Sequence, residues 1–277
     1  MPRILVAEDD APLLKVIAEI LECAGFEVTP ARDGVEALEQ LAQQEFDLLI
    51  TDVRMPRLDG LGLLARIKDL ERRPRVIVLT SDGAPQTVLH AIREQALVYL
   101  IKPVPAARLV SAVQEVLAAP TPAYPIEVLS STPHWVELLV PCELAAADRI
   151  GAFMERLDAD LTDEVRESVG RVFRELLLNA VEWGGRLDPS RKVRISYLRA
   201  KRMLLYRISD PGPGFRFEGL KHAAIANPVG GPVDHAQVRE EKGLRPGGLG
   251  VLIAQAMADE LLYNEAQNEV VFVKYLG

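Results

Sequence analysis

Short apolar runs alternate with stretches of helical period over the first part of the chain. Ile4–Ala7, Phe26–Thr29, Leu48–Thr51, Val76–Thr80 and Leu97–Ile101 read as strands. Between and after them Pro12–Cys23, Gly34–Ala42, Leu61–Leu70, Thr87–Glu94 and Ala106–Leu117 carry apolar residues at helical spacing. Strands that are apolar throughout, each followed by a helix, predict a doubly wound five-stranded parallel sheet covered on both faces. Ala119–Pro125 (APTPAYP) has three prolines in seven residues and no helical period, so it reads as a stiff linker.

Beyond the linker the pattern changes. Val136–Val140 is strand-like, and Asp148–Asp158 and Asp163–Trp183 are helical. Val193–Ser209 predicts a strand pair turning near Lys201, and Leu261–Tyr275 a second pair turning near Gln267. Between them Gly219–Gly248, rich in Gly, Pro, His and charge, reads as a mobile loop ahead of a helix over Leu249–Ala258. This order predicts an α+β sandwich with helices on one side of a mixed sheet. The expected divisions are residues 1–118, a linker at 119–125, and residues 126–277.

The chain has 277 residues and a net charge of −8. Neither half has a basic excess, and no basic helix pair suited to a DNA groove is visible, so nucleic acid is not an expected partner. Two distant cysteines, Cys23 and Cys142, exclude a disulfide framework. The N-terminus has no signal-peptide pattern and no apolar run reaches bilayer length, so a cytoplasmic protein without a membrane partner is expected.

Ligands of open parallel sheets sit at the carboxyl ends of the strands. Glu8 and Asp9 end the first predicted strand, Asp52 follows the third and Lys102 the fifth, with Asp10 nearby. Clustered carboxylates need a cation, and hard oxygen ligands suit magnesium. The metal and Lys102 would offset the charge that develops as Asp52 attacks a phosphorus atom. An Asp at a strand end is usually a turn or cap residue, and Lys-Pro is usually a turn. It is their joint placement that points to chemistry.

With these residues in view, ILVAEDD, TDVRMPRLDG, VIVLTSDG and YLIKP resemble the receiver domain of two-component response regulators, which has a flavodoxin-like fold. The resemblance covers about the first 118 residues. It implies Asp52 as phospho-acceptor from an upstream histidine kinase. Glu8, Asp9, Asp52 and the carbonyl of Arg54 would hold Mg2+. Thr80 would bond the phosphoryl group with Lys102 as counter-ion, and Tyr99 would be the aromatic switch. Phosphorylation would then reshape the last helices, changing a contact with the second half or creating a homodimer through the receiver.

In the second half, Glu175 and Asn179 are four apart on a largely apolar helix and share a face. A solvated stripe is the commoner reading of such a pair taken alone. ISDPGPGF follows, with Asp210 at a strand end and Gly212 and Gly214 in a tight turn. In RPGGLGVLIAQAMA, Gly247, Gly248 and Gly250 lead into a helix whose first amides can hold phosphate. No Gly-Lys-Ser or Gly-Lys-Thr follows, so this is not a Walker loop. The ordered set resembles the GHKL ATPases of gyrase, heat-shock chaperones, mismatch-repair proteins and histidine kinases. Within them it looks most like the anti-sigma-factor serine kinases.

That resemblance implies ATP binding, with Asn179 coordinating Mg2+, Asp210 bonding the adenine amine and Glu175 as general base. Gly219–Pro246 would be the ATP lid, with Lys242 and Arg245 as phosphate contacts. Trp183 stands where relatives often carry His, and a core role is its alternative reading. The four histidines, His90, His134, His222 and His235, lack metal-ligand spacing, and no phospho-acceptor helix pair precedes the ATPase segment. Three outputs remain open. One is a serine/threonine kinase acting on an anti-anti-sigma-type protein. The second is a nucleotide-loaded module that sequesters a partner such as a sigma factor without transfer. The third is a histidine-kinase-like output.

Overall fold

In a computed structural model the chain divides into two compact units, Met1–Pro122 and Ala123–Gly277. The structure describes residues 1–81, 84–119, 124–132, 134–158, 160–214 and 250–277.

The first unit has strands β1 (Arg3–Ala7), β2 (Glu27–Ala31), β3 (Leu48–Thr51), β4 (Arg75–Thr80) and β5 (Val98–Ile101). Helices α1 (Ala11–Cys23), α2 (Gly34–Gln43), α3 (Gly60–Ile67), α4 (Pro85–Arg93) and α5 (Ala106–Ala118) alternate with them. The sheet order is β2-β1-β3-β4-β5, all parallel. β3, at the centre, is buried at every position, which is why it reads as an unbroken apolar run. Aspartates start three of the helices: Asp10 accepts from the Leu13 amide, Asp33 from Val35 and Glu36, and Asp59 from Gly62. These caps satisfy helix-end donors that nothing within the helix can reach. Asp10, whose place the sequence leaves open, is therefore a cap.

The second unit has a six-stranded sheet in the order β10-β11-β9-β8-β7-β6. Its strands are β6 (Glu127–Thr132), β7 (Trp135–Pro141), β8 (Lys192–Ala200), β9 (Met203–Ser209), β10 (Glu260–Tyr263) and β11 (Glu269–Tyr275). Among the described residues all five pairings are antiparallel, so the expected mixed sheet is corrected. The reason is local: three of the five are hairpins between consecutive strands. Across one face, Val136, Tyr197, Tyr206 and Phe272 share a register row, and Leu138, Ile195, Ile208 and Val270 share the next but one. All eight are buried.

Helices α6 (Leu144–Leu157) and α7 (Asp163–Asn179) pack on each other, and α8 (Gly250–Met257) packs on α7. α6 begins four residues before the expected start. α7 ends at Asn179 rather than Trp183, and Ala180–Gly184 continues it as a wider π-turn in which the Gly185 amide reaches back to the Ala180 carbonyl at 2.8 Å. β6, which the apolar pattern does not show, is an edge strand whose register shifts between Val128 and Ser130. Among the described residues no helix is long and apolar enough to cross a membrane.

A buried carboxylate ties α6 to the sheet. Asp158, at the end of α6, accepts from the Tyr197 hydroxyl at 2.8 Å and the Tyr206 hydroxyl at 2.7 Å. Burial pushes the Asp158 carboxyl above its usual range, against the pull of those two donors. Asp158→Ala would leave two buried hydroxyls without their acceptor, an expected loss of about 2–4 kcal/mol. Asp160 forms a forked pair with Arg199 but is 69% exposed, so Asp160→Ala is expected to cost less than about 1 kcal/mol. Urea unfolding of the two variants side by side checks the ordering.

Candidate functional site

Two groups of side chains stand out, one in each unit. In the first, Glu8 follows β1, Asp52 follows β3 and Lys102 follows β5, so the parallel order brings them to one edge of the sheet. Glu8 and Asp52 are buried, whereas Asp9 is exposed. Lys102 Nζ donates to Asp52 Oδ2 at 2.5 Å and to Glu8 Oε2 at 2.6 Å. Asp52 Oδ1 accepts from the Val53 amide at 2.5 Å and the Arg54 amide at 3.3 Å. Both carboxylate oxygens are thus oriented before any ligand arrives.

Burial raises the Glu8 carboxyl, and the Asp52 charge adds to it, against Lys102. Burial alone would lower Lys102, but its hydrogen bonds to Asp52 and Glu8 and their charges outweigh it and raise it. Oxygens of Glu8, Asp9 and Asp52 all lie within 4.8 Å of one another. Glu8 and Asp52 share the Lys102 ammonium, and hard oxygens at that spacing fit magnesium. Thr80 is fully buried and Tyr99 is 7% exposed, so the aromatic ring is turned inward.

One residue of this site escapes sequence reasoning. A Cβ on Gly60 would lie 1.9 Å from the Asp52 carbonyl oxygen, and the Gly60 amide donates to the Val53 carbonyl at 2.9 Å. Gly60 therefore lets α3 start directly against the Asp52 backbone. The Asp-Gly pair at 59–60 is the signal that could have shown it.

In the second unit Glu175 and Asn179 are half-buried on α7. Gly250, the first described residue of α8, abuts both: a Cβ there would stand 2.7 Å from Glu175 Oε2 and 3.3 Å from Asn179 Nδ2. The absence of a side chain at 250 lets α8 approach the Glu175–Asn179 face closely. Asp210 follows β9. Burial raises its carboxyl, while the Gly212 amide, donating at 2.7 Å, and the Arg191 charge lower it. Gly214 has φ +83° and lies against the Ala266 carbonyl, so a side chain there is excluded twice over. The Asn268 side chain donates to the Gly212 carbonyl at 3.0 Å, and the Asp210 amide donates to the Asn268 carbonyl at 2.9 Å. The β10–β11 hairpin thus holds the glycine turn, a role for Asn268 that no motif announces.

Gly184 is the other unforeseen residue. A Cβ there would lie 2.2 Å from Asp210 Cγ, so the π-turn forms the seat of the Asp210 carboxyl. Beside it Gly185 lies against Cys142, whose thiol burial pushes up to about 11, which makes it a packing group rather than a nucleophile. Trp183 is 41% exposed, which excludes its core reading. Gly247, Gly248, Lys242, Arg245 and the lid at Gly219–Pro246 lie outside the described residues.

Comparison with known proteins agrees with this division. A family model for the response regulator receiver domain matches residues 4–114, and one for the histidine kinase-like ATPase domain matches residues 140–274. The transcriptional regulatory protein ZraR of Escherichia coli (strain K12) is 36% identical over 115 residues, 42% of this chain and 26% of its own length. The transcriptional regulatory protein PrrA of Mycobacterium tuberculosis is 28% identical over 205 residues, 72% of this chain and 87% of that protein. A receiver domain protein of Clostridium thermocellum, known from its crystal structure, is 34% identical, with 42% of this chain and 94% of that one covered at a TM-score of 0.40. The chain spans about a quarter of the length of the ZraR proteins it matches. Within one chain, a response regulator receiver domain is joined to a histidine kinase-like ATPase domain.

Proposed function

We propose that Asp52 accepts a phosphoryl group from an upstream histidine kinase and thereby controls the ATPase domain, which acts as a serine/threonine protein kinase of the anti-sigma type. The observation that carries the first half is the convergence of Glu8, Asp9, Asp52 and Lys102. An Asp52 carboxylate oxygen attacks the phosphorus of a phosphohistidine, the P–N bond breaks, and the imidazole leaves. Lys102 pairs with the added charge, and Thr80 bonds a phosphoryl oxygen. Glu8, Asp9, Asp52 and the Arg54 carbonyl would hold magnesium, which would neutralise charge on the phosphoryl oxygens.

For the second half, support comes from the Glu175–Asn179 face meeting Gly250 of α8, with Asp210 seated on Gly184. Asn179 serves the nucleotide's magnesium, Asp210 accepts from the adenine amine, and Glu175 takes the proton from an attacking serine or threonine hydroxyl on an anti-anti-sigma-type protein. The exposed Trp183, where related kinases often have His, favours one other reading: a loaded domain that sequesters a partner such as a sigma factor without transfer. Incubation with labelled ATP and candidate partners separates the two, since only the kinase leaves label on the partner.

Asp210→Asn tests the base site. An amide turns one acceptor oxygen into a donor facing the adenine amine, and the buried group left unmatched costs about 1–3 kcal/mol. Calorimetry is expected to show magnesium-ATP binding weakened roughly 5- to 150-fold by that cost. Unchanged affinity would refute the role of Asp210.

A further inference from the structure

Arg191 sits just before β8, and nothing in the sequence marks it. Its carbonyl accepts from the Cys142 amide at 2.9 Å, which roots it at the end of the sheet. From there its guanidinium reaches two turns that are distant in sequence. Nη2 donates a close hydrogen bond to the Pro211 carbonyl, and Nη1 makes a long contact of 3.5 Å with the Gly185 carbonyl. Pro211 directly follows Asp210. Gly185 directly follows the π-turn that continues the Asn179 helix. One side chain therefore spans the element that ends in the base-site carboxylate and the element that carries the magnesium-site amide.

The planar guanidinium suits this task, because its donors point in fixed, separate directions from one rigid group. The contact between the two elements has no slack to absorb a shift. Gly184 Cα already stands 2.9 Å from where a Cβ on Gly212 would be, and a Cβ on Gly184 would run into Asp210. On the far side Asn268 holds the Gly212 carbonyl. The turn at 210–212 is thus held from two directions, and only Arg191 ties it to the end of the Asn179 helix by side-chain hydrogen bonds among the described residues.

We infer that Arg191 is a positioning residue of the nucleotide site: it fixes the distance between the Asp210 and Asn179 walls and so sets discrimination for the adenine amine. This rests on the ATP-site reading above. The test uses the full chain with magnesium, comparing ATP with purine riboside triphosphate, which is ATP without the 6-amino group. Arg191→Met keeps the aliphatic stem and removes every donor, and Arg191→Lys keeps the charge on a single donor nitrogen. Arg191→Met is expected to bind ATP roughly five- to tenfold more weakly, the size of one lost hydrogen bond, with the preference over purine riboside triphosphate falling by the same factor. Arg191→Lys is expected to fall between it and the wild type, and it decides the matter if Arg191→Met does not fold. A folded variant that loses affinity for both nucleotides equally, or for neither, overturns the inference, because a merely structural role leaves the ratio unchanged. If the wild type itself shows no preference and Asp210→Asn binds as the wild type does, the base-site reading fails and the inference falls with it.

Discussion

Asp52→Asn is expected to take up no measurable phosphoryl group from a histidine kinase or a small phosphodonor such as acetyl phosphate. The substitution is nearly isosteric, so the loss is chemical. An amide is a far poorer nucleophile than a carboxylate. It also changes the pairing inside the site: Asp52 Oδ2 now accepts from Lys102 at 2.5 Å while Oδ1 faces two backbone amides. An Asn side chain must turn its NH2 toward donors on one side or the other. Gel separation of phosphorylated and free protein reads the outcome, with magnesium present and with it chelated. Uptake at the wild-type rate in the variant would sink the assignment of Asp52, and uptake indifferent to chelation would sink that of the carboxylate cluster.

Glu175→Ala is expected to separate nucleotide binding from chemistry. Alanine is a good helix former, so α7 should persist. The place proposed for Glu175 is beside the attacking hydroxyl. Its loss is expected to lower phosphoryl transfer by roughly 10²–10⁴-fold, the usual size of a general-base effect, with magnesium-ATP still bound. Retention of full transfer would reduce Glu175 to a packing partner of Gly250. Absence of transfer in both wild type and variant, with partner capture intact, would leave the sequestering reading in place of the kinase.

The receiver's architecture is legible in the sequence for a physical reason. Strands buried on both faces are apolar throughout, and their carboxyl ends are marked by the first polar residue after each run. Hence Asp52 and Lys102 could be placed at one edge from periodicity alone. Glu175 and Asn179 were legible because helical spacing fixes a shared face. Gly184, Arg191 and Asn268 were not, because each acts through a contact with backbone or side chain far along the chain. Arg191 reaches Pro211 twenty residues on, and Asn268 reaches Gly212 across fifty-six. No period or motif encodes such pairs. β6 was missed because an edge strand with a register shift has no reason to keep a clean alternation.

The π-turn at Ala180–Gly184 makes the local width of the helix a determinant of ligand binding. A regular α-helix advances 1.5 Å and turns 100° with each residue. Were the widened turn to become ordinary helix with the chain length unchanged, every later residue would rotate and advance by that amount. Gly184 would leave its place under Asp210, although no residue proposed to touch the nucleotide had changed. Substitutions that favour a regular helix over the π-turn are thus expected to weaken nucleotide binding while leaving Glu175, Asn179 and Asp210 all present in the sequence.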